Sequence, residues 1–207
     1  MTYERFTPDN AAVLLVDHQT GLCNGIQDQS LTEFNSAVTA LAKLAKTFAL
    51  PTIVTTSAAD GPNGPVLPII TQLLPEAPVI HRPGEINAWD NREFVAAVEK
   101  TGRKKLIIAG VSTEVCLAFV AMSAVKAGYD AYAVIDASGT WSKLVQEVAI
   151  ARMAQAGVVP VTWVAVAAEL QADWRNPVSK QMEGVMGAHL PFHANVVATF
   201  EAASKRS

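Results

Sequence analysis

Two cysteines occur in the 207-residue chain, Cys23 and Cys116, and the surroundings of the second suit nucleophilic chemistry. Cys116 closes the segment Gly110-Val111-Ser112-Thr113-Glu114-Val115-Cys116, directly after the apolar run Leu106-Ile107-Ile108-Ala109. That run reads as a buried strand, and Leu117 to Ala127 reads as a helix. With Thr113 as N-cap, Cys116 falls in the first helical turn, whose backbone N–H groups have no intrahelical partner. The positive end of the helix there favours the thiolate, the reactive form of the side chain. The competing reading is an inert core cysteine. Asp17 ends a second unbroken apolar run, Ala11 to Val16, where a carboxylate is costly to desolvate unless it is paired or functional. A plain turn or cap residue is its alternative. Arg82 opens the segment Arg82-Pro83-Gly84-Glu85-Ile86-Asn87-Ala88-Trp89-Asp90, either an ordinary polar loop or a cation presented beside the other two.

These three residues need a scaffold that brings them together. Ala11 to Val16 suits a strand buried on both faces, and Phe34 to Phe48 carries apolar residues at helical spacing. Thr52 to Thr56 is a β-branched strand, Pro78 to His81 a short third one, and Glu93 to Thr101 a helix closed by Gly102. The second half repeats the pattern. Strands are expected at Leu106 to Ala109, Asp130 to Ile135 and Val158 to Val164, the last placed at an edge or bulge by Pro160. Helices are expected at Lys143 to Ala156, Ala165 to Ala172, Pro177 to Met186 and Asn195 to Lys205. The alternation predicts an α/β, three-layer αβα fold around a doubly wound, mostly parallel six-stranded sheet. In the common order 3-2-1-4-5-6, ligands bind beyond the carboxyl ends where strand order reverses, between strands one and four. Strand one leads to Asp17 and strand four to Cys116; adjacent strands lie about 4.8 Å apart, so the two side chains could face one cleft. Arg82 must reach two strand spacings, ~10 Å, to join them.

Composition narrows the function without naming it. Half of the residues are hydrophobic, 17% are charged and the net charge is -3. That fits one domain over residues 1–207, with a helical extension from about residue 176, and argues against disorder and nucleic-acid binding. No stretch suits a signal peptide or a membrane span, and two cysteines do not make a disulfide framework, so a cytoplasmic protein is expected. Glycine-rich phosphate loops are absent. His189 and His193 are separated by Pro191 and form no H-E-x-x-H pattern, which places them on a C-terminal surface or a subunit contact. A mean hydropathy of +0.23 and the apolar helix Leu117 to Met122 point to subunit association.

Val-Asp-His-Gln after strand one, Arg82 after strand three and Gly-Val-Ser-Thr-Glu-Val-Cys after strand four together resemble the isochorismatase-like cysteine hydrolases. The stretches Thr-Thr-Ser-Ala-Ala-Asp-Gly-Pro-Asn-Gly-Pro, Arg-Pro-Gly-Glu-Ile-Asn-Ala-Trp-Asp-Asn, Asp-Ala-Ser-Gly-Thr and Asp-Trp-Arg-Asn resemble the YcaC-type branch of that family. The resemblance, from about Ala11 to Asn176, implies a Rossmann-like fold and an Asp17–Arg82–Cys116 triad. Cys116 would attack a small amide or related C–N substrate to give a thioester-type intermediate, with Asp17 as general base. It also implies a non-proline cis peptide before Ser112 and an oxyanion hole made by the Ser112 and Cys116 backbone N–H groups. Gln19, Asn87, Trp89, Val111 and Trp141, with Trp163 as a further aromatic, are expected around the pocket. Large homo-oligomers, an octamer of paired rings, are expected from the branch.

The chain departs from the family at two points. Amidase members carry Lys where Arg82 stands, and Arg cannot exchange its proton near neutral pH. Nicotinamidase members bind a metal through histidines after strand two, whereas Ser57-Ala58-Ala59-Asp60 has none. No metal and no cofactor are therefore expected. The alternative to an enzyme is a weakly active or inactive oligomeric scaffold of the same family; a thiol-redox role for Cys23 and Cys116 lacks a C-x-x-C motif.

Overall fold

The computed structural model describes residues 4–205. Six strands, β1 (Ala11–Val16), β2 (Thr52–Ser57), β3 (Val79–Arg82), β4 (Lys105–Gly110), β5 (Asp130–Val134) and β6 (Val159–Val161), form one sheet in the order β3-β2-β1-β4-β5-β6. Every pairing is parallel. The helices are α1 (Thr20–Cys23), α2 (Leu31–Thr47), α3 (Pro68–Leu73), α4 (Arg92–Lys100), α5 (Ala118–Lys126), α6 (Lys143–Gln155), α7 (Trp163–Gln171), α8 (Ser179–His189) and α9 (Pro191–Ser204).

β1 is apolar throughout because both of its faces are covered. Ala11, Val13 and Leu15 belong to one buried cluster with Phe34, Val38 and Leu41 of α2 and Val166 of α7. Ala12, Leu14 and Val16 belong to another with Phe94 of α4 and Val120 of α5. The strand period of two thus survives inside an unbroken apolar run, each parity facing its own helical layer. α2 begins in a capping box: the Ser30 side chain accepts from Glu33 N–H, and the Glu33 carboxylate accepts from Ser30 N–H.

Boundaries in the second half differ from the sequence expectations. α7 starts at Trp163 rather than Ala165, because the Thr162 side chain accepts from Ala165 N–H and so acts as the N-cap. α9 starts at Pro191, a residue whose fixed φ and missing N–H suit the first helical position, so the helix precedes the expected Asn195. β3 runs one residue further than Pro78 to His81 and contains Arg82, which pairs with Ser57. β6 is only three residues long and sits at the sheet edge, where Pro160 takes no central ladder position.

Candidate active site

The crevice over the carboxyl ends of β1 and β4 is built by four neighbouring strands. Asp17 follows β1 with a left-handed φ of 55° and is anchored by its own N–H to the Thr55 carbonyl at 2.9 Å. Arg82 ends β3, two strands away, and is only 1% exposed. It reaches across β2, where its Nε donates to Thr55 Oγ1 at 3.0 Å. Nη2 then donates to both oxygens of Asp17, at 2.6 Å to Oδ2. Nη1 donates to the Glu85 carbonyl and, at 3.4 Å, to that of Ile86. One guanidinium therefore joins β2, the Asp17 turn and the loop after β3, a fork that Lys could not reproduce.

Cys116 lies in a single π turn, Thr113–Leu117, between β4 and α5. Leu117 N–H bonds the Ser112 carbonyl five residues back at 3.1 Å. Thr113 does not cap the helix: its N–H donates to Gly139 O at 3.0 Å, and Ser112 occupies the N-cap position without a side-chain cap. The Val111–Ser112 peptide bond is cis. The thiol lies within reach of the Asp17 charge. The thiolate-favouring helix end expected from sequence is overridden. Burial pushes the Cys116 thiol far up, the Asp17 charge and hydrogen bond push the same way, and the Ser112 backbone and the Arg82 charge oppose them more weakly. Burial also raises the Asp17 carboxyl above the usual carboxylate range, against the opposing pull of Arg82. Burial thus disfavours the charged form of both groups, and Arg82 is the cation that opposes it.

The turn carrying Cys116 is fastened by residues that sequence reasoning did not single out. Gly110 N–H donates to Ser138 Oγ at 3.0 Å, and Val111 pairs with Gly139 in an isolated parallel bridge. Thr140 Oγ1 donates to Glu114 at 2.6 Å, while Thr140 N–H donates to the buried Asp28 carboxylate at 2.9 Å. Gln146 of α6 donates to the other Asp28 oxygen at 2.6 Å. The available signal was the small, polar stretch Asp136 to Thr140 at the carboxyl end of β5; nothing local marks Asp28.

The expected pocket residues separate. Gln19 is fully buried, and its amide is tied to Ser57 N–H at 2.9 Å, Ser57 O at 3.1 Å and Gly64 O at 2.6 Å. It pins the loop after β2 instead of presenting itself to a ligand. Val111 is core. Asn87 donates to Ser123 Oγ at 3.0 Å and accepts from Trp89 N–H at 3.1 Å. It lines a cleft of about 340 Å³ beside α5, with Phe119, Met122, Ser123, Lys126 and Arg152, a lining that does not include Cys116. Trp89 packs edge-on to Phe94 and Tyr129 and against the cluster that Cys116 also joins. Trp141 is exposed and lies over Gly25, where an added Cβ would lie 2.2 Å from the indole. Trp163 is core on the opposite face of the sheet, against His189, and so is no wall of this crevice. His189 and His193 lie on α8 and α9 respectively, His189 between Ser36 and Lys43 and His193 stacked on Trp174. Cys23 is buried and free, with its thiol pushed up by burial to about 12. Among the described residues, no group of three or more His, Cys, Asp or Glu side chains is placed to hold a metal ion.

Comparison with known proteins places this geometry. Residues 11–165 match the isochorismatase domain family. The chain is 47% identical over 204 residues to the probable hydrolase YcaC of Escherichia coli, spanning 99% of this chain and 98% of that one. Its fold superposes with a TM-score of 0.94 on YcaC from Pseudomonas aeruginosa, solved with hexane-2,5-diol and covalent acrylamide, at 50% identity over 97% and 99% of the two chains. The same score is reached with the Escherichia coli YcaC structure, an octameric hydrolase of unknown specificity, at 48% identity over 98% and 99%. A ribonuclease MAR1 from Caenorhabditis elegans, at 22% identity and a TM-score of 0.80, shares the fold. The sheet order 3-2-1-4-5-6, the family match over three-quarters of its length and the 47% identity to YcaC show that this chain belongs to the isochorismatase family of hydrolases.

Proposed function

We propose that the protein is a metal-independent cysteine hydrolase acting on a small amide or related C–N substrate, folded as one domain over residues 1–207. The observation that carries this reading is the buried Asp17–Arg82 ion pair set beside the Cys116 thiol, close enough for its charge to act on the sulfur. An isolated core cysteine needs no such partner.

In this mechanism Asp17 takes the thiol proton as Cys116 Sγ bonds to the substrate carbonyl carbon. Burial of Asp17 makes it a stronger base than an ordinary carboxylate. The carbonyl π electrons move to oxygen, and the oxyanion is held by the N–H groups of Ser112 and Cys116 at the start of the helix. Collapse re-forms the carbonyl and expels the amine, which takes the proton from Asp17. Water then attacks the thioester, again losing a proton to Asp17, and Cys116 leaves and is reprotonated. Arg82 stays cationic throughout, since a guanidinium keeps its proton at these pH values. It holds Asp17 in position and fixes the loop bearing Asn87 and Trp89.

The covalent acrylamide in the Pseudomonas relative supports a reactive nucleophile in this branch, since acrylamide alkylates nucleophiles through its alkene. The Escherichia coli relative supports an octameric assembly here also. Free thiols and the lack, among the described residues, of a helix long and apolar enough to cross a membrane support a cytoplasmic location.

Intact-mass and peptide mapping after brief exposure to iodoacetamide tests the site. One adduct, on Cys116, is expected well before Cys23 reacts, and Cys116→Ala should abolish both labelling and amide turnover. Equal, slow labelling of the two thiols, with no turnover of any amide in a broad panel, would leave the scaffold reading in its place.

A further inference from the structure

The C-terminal helix α9 is folded but buries none of its residues. Its stripe of Phe192, Val196, Phe200 and Ala203 repeats at i, i+4, i+8 and i+11, one face of a helix. Phe192 is 72% exposed, Phe200 70% and Val196 50%. The side of α9 next to the stripe, with His193, Ala194, Val197 and Ala198, turns toward α8 and Trp174. The stripe therefore points away from the chain's own body. A helix of this length is marginal alone in water, and Phe, Val, Thr and Asn are weak helix formers. Among the described residues nothing covers its Phe192–Val196–Phe200 stripe.

We infer that the Phe192–Val196–Phe200 face of α9 is an assembly surface that packs against a second copy of this chain. The inference rests on the octameric reading above and assigns it a surface. Three observations select this occupant. The stripe is apolar and aromatic, and Glu201 is the sole formally charged residue from 191 to 204, the depletion of charge found at the centres of permanent subunit interfaces. A helix lying on a lipid surface carries Lys or Arg along its polar face, and α9 has none. The octameric Escherichia coli relative aligns over 98% of this chain, a span too long to omit α9 altogether.

The test is analytical ultracentrifugation of the full chain and of Phe192→Asp/Phe200→Asp, each at a concentration where the wild type is fully assembled. The double variant is expected to sediment at half the wild-type mass or less. Its near-UV spectrum and the Cys116 labelling rate should stay unchanged, since neither residue touches the crevice. Phe192→Leu/Phe200→Leu, which keeps the face apolar, should restore assembly and separates a lost contact from a misfolded chain. An unchanged mass for the Asp variant overturns the inference while leaving the octamer standing. A monomeric wild type overturns both. Co-sedimentation of the wild type but not the Asp variant with phosphatidylcholine vesicles, at equal mass, overturns it in favour of a membrane surface.

Discussion

Replacing Arg82 by Lys, the residue that amidase members of the family carry, tests how much of this site depends on a fork and how much on a charge. Lys keeps a cation beside Asp17 but offers one nitrogen where Arg82 offers three. The bonds to the Glu85 carbonyl and to Thr55 Oγ1 cannot both be kept. Thr55 is not stranded, because its hydroxyl still donates to Ile80 O at 2.9 Å. The 3.4 Å contact to Ile86 is too long to weigh much. The net loss is one charge-assisted hydrogen bond plus a small void, about 2–3 kcal/mol. For a domain of this size that corresponds to a melting temperature lower by about 4–12 °C. Calorimetry of Arg82→Lys checks this, with Arg82→Met alongside, which strands a buried carboxylate and should cost about 3–5 kcal/mol. The pH profile of kcat/KM supplies a second reading: Arg82 contributes no alkaline limb, and the ammonium of the Arg82→Lys variant would add one through its own ionisation. A melting temperature for Arg82→Lys within about 2 °C of wild type would refute the idea that the guanidinium anchors the loop.

The acid side of the same profile belongs to Asp17. In the proposed mechanism the Asp17 carboxylate acts as base, so kcat/KM should fall as pH drops through a midpoint above the ordinary carboxylate range, the direction in which burial moves it. Asp17→Asn should remove that limb and slow turnover ~100–10,000-fold; an acid limb that persists in this variant would assign it elsewhere. His18 gives a stability prediction. It is fully buried, and desolvation lowers it to about 4 from 6.5. Between those values the unfolded chain binds the proton and the native one does not, so stability is full above pH 6.5 and declines toward pH 4, by about 3 kcal/mol from this group. Urea midpoints of wild type and His18→Gln at pH 7 and pH 5 check it; parallel losses in the two proteins would rule His18 out as the source.

Much of this molecule follows from local sequence. The apolar runs at Ala11–Val16 and Leu106–Ala109 suit only strands covered on both faces, and glycine and proline punctuation separates the helices. Strand alternation and the crossover rule then fix which ends form the crevice, so topology alone brings Asp17 and Cys116 together. Boundaries slip where side-chain caps compete with periodicity, as at Thr162, and where proline opens a helix, as at Pro191. The residues clamping the Cys116 turn, Asp28 and Thr140 above all, act through contacts 112 positions apart in sequence, and no local pattern reports such a pair. Gln19 has the look of a pocket residue because it follows Asp17 so closely; only the fold turns its amide inward onto Ser57 and Gly64.

The largest difference concerns the thiol itself. Sequence places Cys116 at a helix start, where the local dipole favours a thiolate. Tertiary structure partly buries it and sets a carboxylate beside it, and both effects favour the neutral thiol. Residue types and strand order thus determined which groups meet, because those depend on periodicity and chirality. Their protonation depended on burial and on charges delivered from distant strands, and only the folded chain decides those.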